Sequence, residues 1–266
     1  MTPQARSIIA NNIRLLKKQK KRDIAEWCES EMWIDEKTPF KFRYAPYLKE
    51  MIETPMNTDV RRTVYMMFSR GGKTTAMNAV MGYSIAEQPR HIAMMQSKLE
   101  TAEQFSKEDF QEKLVSNTPC LARLLPEGRT TKNTIRHKMF PGGVLKFVGA
   151  NTASSLRRIK ANLLLADEVD SYEGDDEGDV LKIFWKRGSE YGADTIQICA
   201  SYPGVAGSSR IWDEMQLSDW RRFNIPCTHC KEWFAPERER DLKWPKGEPE
   251  LAYIECPFCK ATINER

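Results

Sequence analysis

YMMFSRGGKTTAMNAV, residues Tyr65–Val80, is the stretch on which the fold of this chain turns. An apolar run, Thr63–Phe68, leads into two glycines, a lysine and two threonines, and a helical pattern follows over Thr74–Ala86. Gly-Gly-Lys-Thr between a strand and a helix reads either as an ordinary turn or as a loop wrapped round a phosphate. The second reading needs successive backbone N–H groups turned toward an anion, with the positive end of a helix behind them. Gly71 and Gly72 permit that turn without a Cβ penalty. Ser69, Arg70, Gly71, Gly72, Lys73, Thr74 and Thr75 would then surround the phosphates of ATP. Lys73 would reach the β and γ groups, and the Thr74 hydroxyl would hold Mg²⁺. The spelling departs from G-x-x-x-x-G-K-[ST], because Met67 stands where the first glycine would be.

Downstream, strand and helix patterns alternate. Strands are expected at His91–Met95, Val144–Val148, Leu163–Ala166 and Thr195–Ala200, and helices at Glu100–Val115 and Val180–Arg187. Upstream, residues 5 to about 34 read as helical, and Tyr47–Glu53 as a short helix. The beat predicts an α/β fold with a mostly parallel sheet and helices on both faces. One strand, Leu163–Ala166, runs into Asp167 and Glu168. Adjacent carboxylates at a strand end are costly without a cation. Following a phosphate loop in an α/β beat, they select the ATP-hydrolysing reading: Asp167 on Mg²⁺, Glu168 on the attacking water. The fold expected is therefore a P-loop NTPase of the ASCE (RecA-like) kind. The acidic run Glu173–Asp179 reads as a solvated loop.

Bulk properties bound the class. The 266 residues suit one large domain and a small one, and 41% hydrophobic residues can bury a sizeable core. A net charge of +4 permits an anionic partner without demanding one. Lys17, Lys18, Lys20, Lys21 and Arg22 cluster on the first helical stretch, as a solvated face or as an arm docking on DNA or a partner. There is no run of about 18 apolar residues and no signal-like N-terminus, so a cytoplasmic protein without a membrane segment is expected.

Of seven cysteines, Cys28, Cys120 and Cys199 are scattered, and four form Cys227-x-x-Cys230 and Cys256-x-x-Cys259, with 25 residues between the pairs. Two such knuckles predict a closed, structural Zn²⁺ site of four thiolates. A redox C-x-x-C is the competing reading, but it would need one pair on a βαβ unit. The organisation expected is an N-terminal helical arm (1–37), an ATPase domain (38–222) and a zinc-ribbon module (223–266).

Over most of its length, from about Thr38 to Cys259, the chain resembles the ATPase region of the phage terminase large subunit of the GpA type. SRGGKTT, FPGGVLKFVGANTASSLRR, LLLADEVDSYEGDDEGD, ASYPG and CTHC…CPFC carry the resemblance. It implies a motor that packs double-stranded DNA into a procapsid, working with a terminase small subunit and the portal, as a homo-oligomeric ring. It accounts for the missing glycine, since terminases often carry an arginine ahead of Gly-Lys-Thr; Arg70 fits and would contact the γ-phosphate. Ser201 and Pro203 match the family's Ser-Thr-Pro coupling motif, with Tyr202 departing at the middle position. KFRYAPY lies where the family has an aromatic nucleotide-binding segment. Tyr44 is either a base-stacking residue or a core tyrosine. Arg157 and Arg158 are either ordinary surface residues or a source of a trans-acting arginine. No later cluster of carboxylates follows the cysteines, so no nuclease activity is expected of this chain. Two other functions share some of these features: a helicase-like ATPase, which needs a second motor domain, and a non-hydrolysing assembly module that docks through the zinc ribbon.

Overall fold

The computed structural model describes residues 22–125, 133–151, 156–173, 178–205 and 207–263. Contacts divide the chain into a larger unit ending at Ser218 and a smaller one beginning at Asp219.

The larger unit is built on six strands: β1 (Arg62–Met66), β2 (His91–Gln96), β3 (His137–Phe140), β4 (Gly143–Gly149), β5 (Leu163–Asp167) and β6 (Ile196–Ser201). Their spatial order is β1-β6-β5-β2-β4-β3. The first five in that order pair in parallel, and β3 pairs antiparallel with β4. Side chains alternate between two buried clusters. Ile92, Met94, Leu163 and Leu165 join one; Ala93, Met95, Leu164 and Ala166 join the other. A strand covered on both faces is apolar at every position, which is why β2 and β5 read as unbroken apolar runs.

Helices α1 (Ile24–Glu31), α2 (Tyr47–Glu53), α3 (Lys73–Ala86), α4 (Leu99–Phe105) and α5 (Pro119–Leu124) contribute to the first cluster. Helices α6 (Val180–Trp185) and α7 (Arg210–Gln216) contribute to the second. Of the segment expected as an arm, α1 packs Ile24, Trp27 and Cys28 into the same core as α3. Its Trp27 lies so close to α3 that a Cβ on Gly82 would stand 2.6 Å from Trp27 Cη2. The crossing exists because position 82 has no side chain. Arg22, the one described member of the basic cluster, pairs with Glu31 and Glu87; residues 17–21 lie outside the described residues.

Three expectations are adjusted. Strand β3 was not foreseen; it forms a hairpin with β4 through the Pro141–Gly142 turn. The helix expected over Glu100–Val115 changes at Ser106 from α to wider π-type turns that run to Val115. The helix expected over Val180–Arg187 ends at Trp185 and continues as 3-10 turns over Lys186–Asp194.

The smaller unit has a two-stranded sheet, β7 (Ile225–Pro226) with β8 (Trp233–Phe234), a short helix α8 (Arg238–Asp241), and a three-stranded sheet of β9 (Leu242–Lys243), β10 (Tyr253–Glu255) and β11 (Thr262–Ile263). Its buried hydrophobic centre is thin: Cys227, Phe234 and Cys256, with Ile225, Ile254 and Ile263 packed against them. Buried Asp241 is held by both Arg240 Nε and Nη2 at 2.7 Å. Among the described residues no helix is long and apolar enough to cross a membrane.

Candidate nucleotide site and metal centre

Parallel strands that share a direction deliver their C-terminal ends to one edge, where α/β sheets commonly bind ligands. Here the ends of β1, β6 and β5 are neighbours, with β6 in the middle. The loop after β1 opens α3, whose first residue is Lys73; the end of β5 carries Asp167 and Glu168; the end of β6 carries Ser201. Lys73 and Glu168 therefore start two strands apart and meet over the middle one.

They do meet. Lys73 is 5% exposed, and its Nζ lies 3.5 Å from Glu168 Oε1 and 3.4 Å from the Phe68 carbonyl oxygen. The other Glu168 oxygen, Oε2, faces Ser201 Oγ at 3.3 Å and the Tyr202 N–H at 3.5 Å. Glu168 itself has a left-handed backbone, φ 51°, an uncommon conformation for a residue with a Cβ and one found at functional sites.

Asp167 has the opposite environment. It is buried, with the Gln96 amide donating to Oδ2 at 3.3 Å and the Glu168 N–H to Oδ1 at 3.1 Å. Burial, and then the neighbouring Glu168 charge, push its carboxyl up to about 6. A buried carboxylate beside a second carboxylate is a site that a divalent cation relieves, so the residues present fit Mg²⁺.

Both loop glycines serve the turn, each in its own way. Left-handed backbone falls at Arg70 (φ 64°) and Gly72 (φ 88°). Gly71 serves instead for space: a Cβ there would stand 3.1 Å from both Met67 Cε and the Phe68 carbonyl oxygen. Ser69 and Arg70 are exposed, and Thr74 and Thr75 half-buried at the start of α3.

In the smaller unit the four cysteine sulfurs lie within 4.8 Å of one another. Cys227 Sγ is 3.7 Å from Cys259 Sγ, and Cys230 Sγ is 3.8 Å from Cys256 Sγ. Tetrahedral Zn–S bonds of about 2.3 Å place sulfurs about 3.8 Å apart, so the set fits Zn²⁺. The two knuckles are built alike. In each, the residue four after the first cysteine donates its N–H to that cysteine's carbonyl: Lys231 to Cys227 and Lys260 to Cys256. Both lysines have left-handed backbone, φ 64° and 61°.

A family model for the phage terminase large subunit gpA ATPase domain matches residues 35–266. The chain belongs to that family. Among solved structures, the HK97 bacteriophage large terminase matches 74% of this chain and 41% of its own, at 14% identity and a TM-score of 0.55. That likeness is one of fold, and this chain spans less than half of the HK97 protein's length. The ATPase domain of the Thermus phage P74-26 large terminase gives a TM-score of 0.48 at 13% identity, over 75% of this chain and 78% of that one. A search of curated proteins finds no sequence match.

The remaining residues singled out in this terminase domain fall as follows. Tyr44 is 68% exposed, which removes the core reading; Arg43 stacks over its ring at 4.7 Å and bonds its hydroxyl. Its segment leads into α2, whose Leu48 lies against Gly72 of the loop. Arg157 and Arg158 are exposed, and the Arg157 carbonyl accepts from Arg187 Nη1 at 3.1 Å. Two residues escaped the sequence reading. Gln96 ends β2 beside Asp167; a polar residue closing the apolar run HIAMMQ was its signal. Asp170 follows Glu168 by two positions and was read only as part of LADEVD.

Proposed function

We propose that this chain hydrolyses ATP at the ends of β1, β6 and β5, as the motor part of a phage terminase large subunit that drives double-stranded DNA into a procapsid. One observation carries the reading: the loop lysine Lys73 and the strand-end Glu168 converge to 3.5 Å from strands that are not neighbours. A strand between the loop strand and the acidic strand supports the finer fold assignment, a P-loop NTPase of the ASCE class.

In this mechanism Lys73 and Arg70 neutralise charge developing on the transferred phosphoryl group. Ser69, Gly71, Gly72 and Thr75 line the phosphates through the loop and the first turn of α3. Glu168 orients the attacking water and takes its proton. Thr74 and Asp167 would hold Mg²⁺, which when bound offsets triphosphate charge. Ser201, between the two, responds to Glu168 through its hydroxyl. Tyr44 stacks on the adenine, and Arg157 or Arg158 reaches a neighbour's nucleotide in a homo-oligomeric ring. Cys227, Cys230, Cys256 and Cys259 would hold a structural Zn²⁺, with no open position for chemistry. The terminase small subunit and the portal are the protein partners, and the host cytoplasm is the setting. DNA would be gripped through its backbone, without sequence readout.

Steady-state ATPase of the wild type against Lys73→Ala and Glu168→Ala tests the reading. Loss of turnover of about 10²-fold or more in both is expected for groups acting on the transition state. Unchanged turnover in both variants would end it.

A further inference from the structure

We propose that Asp170 is a positioning residue for ATP hydrolysis, holding the segment after β6 in place against Glu168. The proposal rests on the reading of Glu168 as the base.

Asp170 lies on the 3-10 turn Val169–Ser171 that follows Glu168. Its Oδ2 accepts the Gly204 N–H at 2.6 Å, and its Oδ1 accepts the Ile211 N–H at 2.8 Å. Its own N–H donates to Ser201 Oγ at 3.3 Å. One residue therefore fastens three points: the end of β6, the loop beyond it, and the first turn of α7. Between the first two lie the groups that face Glu168 Oε2, namely Ser201 Oγ and the Tyr202 N–H. Fixing Ser201 and Gly204 fixes Tyr202 between them. Oε2 is then occupied by the β6 side of the site, which leaves Oε1 on the Lys73 side.

A simpler role, capping α7, does not account for the contacts. Ser209 already caps that helix, its side chain accepting the Trp212 N–H at 3.2 Å. The Gly204 bond lies outside the helix altogether. Position 204 is also spatially constrained, since a Cβ there would stand 3.1 Å from Asp170 Oδ2. Charge strengthens the arrangement: an ionised carboxylate accepting backbone N–H bonds makes stronger contacts than a neutral acceptor does. Asp170 makes no bond to Lys73 or Glu168 side chains among these contacts; it acts through the segment that does.

The test uses the 266-residue chain with Asp170→Asn and Asp170→Ala. Three quantities are read: ATP turnover, equilibrium binding of a fluorescent non-hydrolysable ATP analogue, and amide hydrogen exchange at Gly204 and Ile211. Asn keeps the size of Asp but turns an NH2 group toward one of the two N–H donors. Misplacing a group that orients a base costs up to about 10²-fold. The expected fall in kcat is therefore about 10-fold for Asn and about 100-fold for Ala. KM and analogue affinity should stay within about 2-fold, because ground-state binding is untouched. Exchange at Gly204 and Ile211 should quicken. A merely structural role would lower the unfolding temperature and leave kcat per folded molecule unchanged. Wild-type kcat in Asp170→Asn overturns the proposal alone, as does loss of analogue binding in step with kcat. A wild-type chain that cannot hydrolyse ATP overturns the proposed function and this proposal with it. Should Asp170→Ala fail to fold, the isosteric Asn variant decides.

Discussion

Replacing Asp167 by Asn should make the nucleotide-free protein more stable at neutral and alkaline pH while removing its activity. The carboxyl is buried and raised from 3.8 to about 6. A group with a raised folded-state value adds stability below its unfolded value and loses it as pH rises through the folded one. Ionised Asp167 therefore weakens the fold above about pH 6. Raising a carboxyl from 3.8 to about 6 corresponds to about 3 kcal/mol. Asn escapes that cost but can accept only one of the two bonds offered by the Gln96 amide and the Glu168 N–H. Leaving one donor badly matched returns about 1 kcal/mol. The net gain at pH 8 is about 2 kcal/mol, or roughly 4–8 °C in Tm for a chain of this size. Thermal unfolding of both proteins at pH 8 and pH 5, without nucleotide or Mg²⁺, gives the comparison. The wild type is partly relieved by protonation at pH 5, so the cost of ionising Asp167 should shrink to about half there. A destabilised Asp167→Asn at pH 8, or a gap that ignores pH, would refute the reasoning. A residue kept for the architecture alone would give that destabilisation.

Three further outcomes follow from the packing and the metal centre. Gly82→Ala should cost about 1–3 kcal/mol in urea unfolding, because its Cβ meets the Trp27 ring and neither helix can yield freely; unchanged stability would show that the helices part easily. Elemental analysis should find one zinc per chain, and Cys256→Ser or a strong chelator should unfold the smaller unit, whose hydrophobic centre is too thin to hold it alone; a metal-free unit that keeps its near-UV signal would contradict this. Lys231→Gly and Lys260→Gly should be neutral or stabilising by up to about 1 kcal/mol each, because left-handed backbone disfavours a Cβ; a loss of stability would mean that the side chains matter more than the backbone.

How legible this molecule was depended on how local each feature is. Strands β2 and β5 were readable because burial on both faces makes their central positions apolar, and β1, β4 and β6 because short apolar, β-branched or alternating runs stand between turn signals. Strand β3 was not: His137–Phe140 is short and partly charged, and only its pairing with β4 makes it a strand. The positions of Lys73 at the start of a helix and of Asp167 and Glu168 at a strand end were readable because the strand and helix patterns on either side of them are local. The order of strands was not, since no local pattern states that β6 separates β1 from β5, and the meeting of Lys73 with Glu168 depends on it. Gln96 and Asp170 act through partners far along the chain, so their neighbours in sequence carried little sign of them. Tyr44 was ambiguous because tyrosine is intermediate in burial; its exposure is a tertiary outcome. Gly72 was readable as a left-handed position because glycine bears that backbone without strain, whereas nothing about an arginine announces that Arg70 adopts it too.

A structure of the chain with a non-hydrolysable ATP analogue and Mg²⁺ tests the central claim most directly. The expected result is one triphosphate with its β and γ groups within hydrogen-bond reach of Lys73 Nζ, and with Asp167 and Glu168 on the same ligand's metal and water side. An analogue bound elsewhere, or bound at the loop with both carboxylates turned away from it, would contradict the claim.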